Sequence, residues 1–224
     1  METQQKLILI DGNSIAYRAF FALPLLSNKK GQFTNAAYGF TMMIMKLLEE
    51  QKPTHIVVAF DAGKLNFRHD IYKEYKGTRE KTPSELSGQL PMIREILSAF
   101  SIQFVELPGY EADDIIGTLS KEAEKAQIPT LVVSGDKDLL QLVSERVHAL
   151  LTRKGVTDVE YYDEAKVDER YGLKPLQIID LKGLMGDSSD NIPGLPGFGP
   201  KTAIDLLKKF DSLKTVSSNT SNKY

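Results

Sequence analysis

The chain has no cysteine among its 224 residues, which excludes disulfides, thiolate metal ligation and a cysteine nucleophile. No apolar run approaches the ~20 residues of a membrane span. The N-terminus is not a signal peptide, because Met1 to Lys6 is polar and leads into only four apolar residues, Leu7 to Ile10. A cytoplasmic location without membrane attachment is the expectation on these grounds. Charge of one sign is not in excess either: 28 basic and 30 acidic residues leave a net charge of −2, which argues neither for nor against nucleic acid. Internal repeats are absent. What is present is ordinary for a globular protein, 42% hydrophobic and 26% charged, and long enough for one large domain or a domain with an appendage.

Leu7 to Ile10 is a continuous apolar run ending in Asp11-Gly12-Asn13, which suits a strand buried on both faces. Asn35 can cap a long helix whose apolar residues, from Tyr38 through Met45 to Leu48, recur near period 3.6. A second apolar run, His55 to Phe60, ends in Asp61. A helix is expected over 89–100 and a third strand over 102–107. A helix follows to about Gln127, then a fourth strand from Thr130 that ends in Ser134-Gly135-Asp136-Lys137-Asp138. Further strands at 147–151 and 159–162 suit an edge or hairpin. Strands alternating with helices predict an α/β fold with a largely parallel central sheet flanked by helices. The expected division is a core at 1–173, a helical element at 174–216 and a disordered tail at 217–224.

Acidic residues carry the chemistry. Glu111, Asp113 and Asp114 fall within four residues at a helix start, after Pro108-Gly109. The helix macrodipole accounts for one or two acids there, at about 0.3–1 kcal/mol each. Three repel one another and suggest a cation among them. Asp11, Asp61 and Asp136 end strands, and in open α/β sheets ligands bind beyond the carboxyl ends of strands. Asp138, Asp187 and Asp190 bring the number to nine. So many carboxylates stay ionised in one cleft only if cations compensate them. All-oxygen ligation selects hard ions such as Mg²⁺, and paired ions suit in-line phosphodiester cleavage. Taken singly, Asp136-Lys137-Asp138 reads as a capped turn and Asp187 to Asp190 as a solvated loop.

Two other segments bear on substrate. Gly194 to Gly199 followed by Pro200-Lys201-Thr202 nearly matches a Walker A loop, but Pro200 displaces the lysine and no strand precedes it. A hairpin between two helices is the better reading, with backbone N–H groups and a helix N-terminus attracting phosphate. An ordinary helix connector fits about as well on glycine content alone. Residues 62–88 interleave Arg68, Lys76 and Arg79 with Phe67, Tyr72 and Tyr75. That composition suits phosphate contacts and base stacking on a single strand, although most such runs are solvated loops.

Five motifs together resemble the 5′ nuclease domain of bacterial DNA polymerase I, a relative of flap endonucleases. They are Leu9-Ile10-Asp11-Gly12-Asn13-Ser14, Ala59-Phe60-Asp61, Gly109-Tyr110-Glu111-Ala112-Asp113-Asp114, Gly135-Asp136-Lys137-Asp138-Leu139 and Gly186-Asp187-Ser188-Ser189-Asp190-Asn191-Ile192-Pro193-Gly194. The resemblance covers about 6–214 and is nearest to Gram-positive members. It implies 5′→3′ exonuclease and flap endonuclease action on DNA with a 5′ flap or a single-strand/duplex junction, including RNA–DNA primer hybrids. By analogy Asp11, Asp61, Glu111 and Asp113 hold a first Mg²⁺, with Asp114 bridging towards a second held by Asp136, Asp138, Asp187 and Asp190; Mn²⁺ is expected to substitute. The same analogy gives Arg18, Lys76 and Arg79 catalytic contacts and places Tyr75, Lys76 and Arg79 in a helical arch against DNA. Gly194, Gly197, Gly199, Lys201 and Thr202 then form a helix-hairpin-helix-type duplex grip, with a K⁺ ion. A monomer is expected, with a polymerase domain in the same parent chain. Relatives continue with more helices where this chain stops, and their loss would weaken duplex binding.

Three rivals differ in class. A haloacid-dehalogenase-like phosphatase needs an aspartate where Asn13 stands. An acidic-cleft ribonuclease leaves the hairpin superfluous. A DNA-binding module without catalysis would retain the grip alone.

Overall fold

The computed structural model describes residues 5–63 and 65–215, so the tail expected at 217–224 lies outside the described residues. The first half contains β1 (Leu7–Asp11), α1 (Gly12–Ala22), α2 (Asn35–Gln51), β2 (His55–Phe60), α3 (Phe67–Ile71), α4 (Ser84–Ser87), α5 (Leu90–Ala99) and β3 (Gln103–Glu106). The second contains α6 (Ala112–Lys125), β4 (Thr130–Ser134), a 3₁₀ turn (Lys137–Leu142), β5 (Val147–Thr152), β6 (Val159–Tyr162) and α7 (Glu164–Tyr171). It closes with α8 (Gln177–Met185), β7 (Gly186–Asp187), β8 (Ile192–Pro193) and α9 (Pro200–Phe210). Among the described residues no helix is long and apolar enough to cross a membrane.

Six strands form one sheet in the order β3-β2-β1-β4-β5-β6, parallel except for the antiparallel β5–β6 pair. The chain runs outward from β1 to β3, then returns to the other side of β1 as β4. The strand order therefore reverses between β1 and β4, a crevice-forming switch point at their carboxyl ends. Asp11 ends β1, and Asp136 follows β4 by two residues.

Both sheet faces are covered, which explains the unbroken apolar runs. Ile8, Ile10, Val58, Phe60, Leu131 and Val133 face a core shared with Ile15, Phe40 and Met43 of α1 and α2. Leu9, Ala59 and Val132 alternate to the opposite face and pack on Ile115 and Ile116 of α6. A third cluster joins Leu151 and Tyr162 to Leu181 and Leu184 of α8 and to Ala203 and Leu207 of α9. That cluster fixes the C-terminal helices to the sheet.

Two local expectations need correction. Thr34, not Asn35, occupies the cap position of α2, and Asn35 is the first helical residue. Its buried amide instead donates to the Phe20 carbonyl and accepts from Gln89. Residues 62–88 hold two short helices, α3 and α4, separated by turns and extended chain.

Beyond α8 the chain crosses itself closely. Gly186 has φ 73°, and a Cβ built on Gly194 would stand 2.2 Å from the Met185 carbonyl. Gly117 in α6 contrasts with it, since a Cβ there meets its nearest neighbour, Leu142, at 3.7 Å. Gly194→Ala is therefore expected to cost about 1–3 kcal/mol by overpacking. Gly117→Ala should gain up to about 1 kcal/mol from helix propensity. Urea unfolding of the two variants beside the parent protein measures both signs.

Candidate active site

The carboxyl edge of the sheet gathers the predicted acids into three groups. Asp11 is buried at the end of β1, where one oxygen accepts from Ser14 N (2.9 Å) and the other from Ser134 Oγ (2.7 Å). Asp61 lies after β2 and accepts from Ala112 N (2.8 Å) and Asn13 Nδ2 (3.2 Å). Asp136 caps the 3₁₀ turn through Asp138 N (2.9 Å). Asp113, in the first turn of α6, completes this group. Its carboxyl is pushed well above the usual carboxylate range by burial, then by the charges of Asp11 and Asp136, against partial relief from Lys76. Among the described residues Asp113 has no hydrogen-bond or ion-pair partner. Burial is also the main reason that Asp11 is raised to about 6, against the bonds from Ser14 and Ser134 and with the charges of Asp61 and Asp136 adding to it.

The second group is Glu111 and Asp190, tied down by residues 66–79. Glu111 is buried and accepts from Asn66 Nδ2 (2.7 Å), Tyr75 Oη (2.9 Å) and Lys76 Nζ (2.5 Å). The same Tyr75 hydroxyl lies 3.1 Å from Asp190, so its one proton is shared between the two carboxylates, and Arg79 pairs with Asp190 and with Ser189 O (3.1 Å). Backbone contacts complete the closure: Lys76 N donates to Asp190 O (2.9 Å), and Asn191 Nδ2 to Glu74 O (2.9 Å). Lys76 does this from a left-handed conformation, φ 54°. Residues 72–79 thus form a strap latched to the 187–191 loop. Tyr75 is 5% exposed, so its ring presents no stacking face in this conformation.

The third group is Asp138 and Asp187, which share Lys182. Its ammonium lies 2.9 Å from Asp138 and 2.8 Å from Asp187. Asp187 also accepts from Ser189 N (2.9 Å) and Ser189 Oγ (2.6 Å). Burial works against ionisation of Asp187, but the bonds from Lys182 and Ser189 prevail and bring it to about 2.

Asp114, expected to bridge towards a second ion, is engaged by groups of the chain itself. Both its oxygens are taken by the Arg68 guanidinium at 2.8 Å, and one also accepts from Glu111 N (2.9 Å). At the third position of α6 this closes a reciprocal cap with Glu111, so the residue braces the helix start. Burial opposes its charge, but the Arg68 fork holds Asp114 below the usual range.

Six of the nine acids, Glu111, Asp113, Asp114, Asp138, Asp187 and Asp190, line one groove of about 1390 Å³. Arg18 lies elsewhere, in a smaller cavity of about 470 Å³ with Tyr17, Gly135, Arg153 and Lys154. It is held by Thr152 Oγ1 (3.1 Å) and by two main-chain carbonyls, with no carboxylate on it among the described residues. The hairpin is in place between α8 and α9: Gly197 has φ 83°, Gly199 precedes α9 in an extended conformation, and Pro200 opens the helix ahead of the exposed Lys201 and Thr202. The sequence reading missed Lys182 and Asn66 and assigned Arg68 only to a basic segment. An amphipathic pattern or a spacing rule would not have found them, because their partners lie on other elements.

The donor chemistry fits hard divalent ions. Every candidate ligand is a carboxylate, and the Asp11, Asp61, Asp113 and Asp136 group carries more negative charge than nearby cations offset. Among the described residues no three such side chains converge closely enough to form a finished coordination shell. Among the described residues the cations that touch these acids are the chain's own Arg68, Lys76, Arg79 and Lys182.

A largely parallel sheet with acids at its switch point and a glycine hairpin beyond it is the architecture of the 5′ nucleases. Residues 6–172 match the family model described as 5′-3′ exonuclease, N-terminal resolvase-like domain, and residues 173–224 match 5′-3′ exonuclease, C-terminal SAM fold. The chain belongs to the 5′-3′ exonuclease family. It is 64% identical over 216 residues to DNA polymerase I of Bacillus subtilis (strain 168), covering 96% of this chain and 24% of the relative. It is 50% identical to DNA polymerase I of Streptococcus pneumoniae, with 96% and 25% covered. The chain thus spans about a quarter of the curated relatives' length. Among solved structures, T5 5′-exonuclease with bound zinc superposes with a TM-score of 0.78 at 23% identity, over 96% of this chain and 79% of that one. The catalytic core of Rad2 in complex with DNA gives 0.62 at 20% identity, over 99% and 68%.

A raised Asp11 has a consequence for stability. Ionising a carboxyl whose folded value lies above its unfolded value of 3.8 costs the folded state. The metal-free protein should therefore lose stability as pH rises from about 4 through about 6, by roughly 3 kcal/mol from this group. Asp11→Asn should lack that component. Denaturant unfolding in chelator across the window compares the two, and parallel profiles would refute the assignment.

Proposed function

We propose that this chain hydrolyses phosphodiester bonds at 5′ flaps and 5′ ends of DNA with divalent metal ions, Mg²⁺ or Mn²⁺, as in removal of RNA primers. The observation that carries this is Asp113, a half-buried carboxyl with no hydrogen bond or ion pair among the described residues, set in the field of Asp11, Asp61 and Asp136. Asp11, Asp61, Asp113 and Asp136 would hold the first ion, and Asp138, Asp187 and Asp190 the other. Glu111 would share the first site if Lys76 left it. When bound, such ions activate water and stabilise the leaving oxygen.

The chain's own groups do the rest. Lys76 and Arg79 lie on Glu111 and Asp190 in the latched strap. With those acids neutralised by bound ions, both side chains would be free for the substrate's phosphates. The hairpin from Gly194 to Thr202 would offer backbone N–H groups and the α9 N-terminus to the duplex, and would also be the place for a K⁺ ion. Arg18, in its separate cavity, takes a flanking phosphate. A monomer suffices for these contacts, and in a longer parent chain a polymerase domain would extend the product of cleavage.

Cleavage of a labelled 5′-flap duplex with and without Mg²⁺, beside Asp113→Ala, tests the proposal. Cleavage is expected only with the ion, and the variant should lose at least about a hundredfold, as expected when charge stabilisation is removed. Metal-independent cleavage, or full activity in the variant, refutes the mechanism. Binding without any cleavage identifies a DNA-binding module. Lys76→Ala and Arg79→Ala should each slow cleavage and flatten its dependence on salt, since neutralised phosphates set that slope. An unchanged slope returns residues 62–88 to a surface role.

A further inference from the structure

Lys182 was not among the residues that the motifs singled out, yet it holds a central place among the acids. It sits on the last turn of α8, and its side chain lines the groove, one-third exposed. A single ammonium bridges Asp138 of the 3₁₀ turn after β4 and Asp187 of β7. These carboxylates come from two elements that share no strand pairing. Without a cation between them they would repel and separate. The ammonium is monovalent, small and attached by a flexible stem, so it can occupy an ion's position and also leave it.

We propose that Lys182 is a resident placeholder: it holds Asp138 and Asp187 together in the free protein and competes with a divalent ion for them. It thereby sets the metal concentration at which this half of the site fills. The proposal rests on the reading of the acids as a metal centre. Displacement needs no backbone change, because the lysine stem borders the open groove. The other groups facing this pair are Ser189, which donates twice to Asp187, and the charge of Asp136 beside Asp138. Neither neutralises the pair, so Lys182 is the cation whose removal the pair should register.

The test is calorimetric titration of Mn²⁺ into metal-free protein without DNA, for the parent, Lys182→Met and Lys182→Arg. Removing a unit charge a few ångströms from the ion should tighten the weaker class of binding by at least about fivefold in Lys182→Met. Lys182→Arg, which keeps the charge, should stay near the parent. Without metal Lys182→Met should melt lower, and added Mg²⁺ should raise its melting temperature further than the parent's. A lower melting temperature with an unchanged isotherm makes Lys182 a structural ion pair and overturns the proposal. Absence of any binding by the parent overturns the metal-centre reading itself. Should Lys182→Met fail to fold, ¹⁵N spectra of the lysine ammonium groups in the parent decide. The Lys182 signal must move in step with Mg²⁺ saturation, and a fixed signal refutes displacement.

Discussion

Repulsion among carboxylates crowded at one end of a single sheet is the constraint on which the rest of this structure depends. A parallel sheet delivers every strand's carboxyl end to the same edge, and here the strands that flank the switch point deliver aspartates. The chain meets the resulting charge in three ways. It buries Asp11 under two hydrogen bonds and raises its pKa, it lays a strap of Tyr75, Lys76 and Arg79 over Glu111 and Asp190, and it threads Lys182 between Asp138 and Asp187. Asp113 is raised as well, yet among the described residues no hydrogen bond or cation lies directly on its carboxyl. The distribution of compensation, more than the count of acids, marks where charge is still owed.

The supporting shell is built from ordinary parts. Ser134 donates to Asp11 while accepting from Asp136 N, so one hydroxyl spaces two strand ends. Asn66 caps α3 and donates to Glu111, which joins the base of the strap to the start of α6. Arg68 and Asp114 brace the same helix start. These contacts hold the first turn of α6 against the switch point, where Asp113 must stand to meet Asp11 and Asp136.

The layout of the sheet was legible because strands buried on both faces read as unbroken apolar runs, as β1, β2 and β4 do. Turn residues after those runs gave the positions of Asp11, Asp61 and Asp136. Other features left weaker signs. Helix α1, which Gly12-Asn13-Ser14 opens under the Asp11 cap, had no place in the sequence expectations. Helix α7 escaped notice because it buries only Val167 and so shows no periodicity. Asp114 was assigned by its neighbours in sequence, whereas its fate is decided by Arg68, 46 residues away. Choice of ion-pair partner across such distances follows from packing and leaves no local pattern. The same holds for Lys182 and Asp138.

The close crossing of Gly186 and Gly194 has a geometric consequence. It clamps both ends of the loop that carries Asp187 and Asp190, and the hairpin emerges from the clamp directly. The hairpin and the loop that carries Asp187 and Asp190 are therefore joined through one close backbone crossing, so a displacement of either segment is passed on to the other.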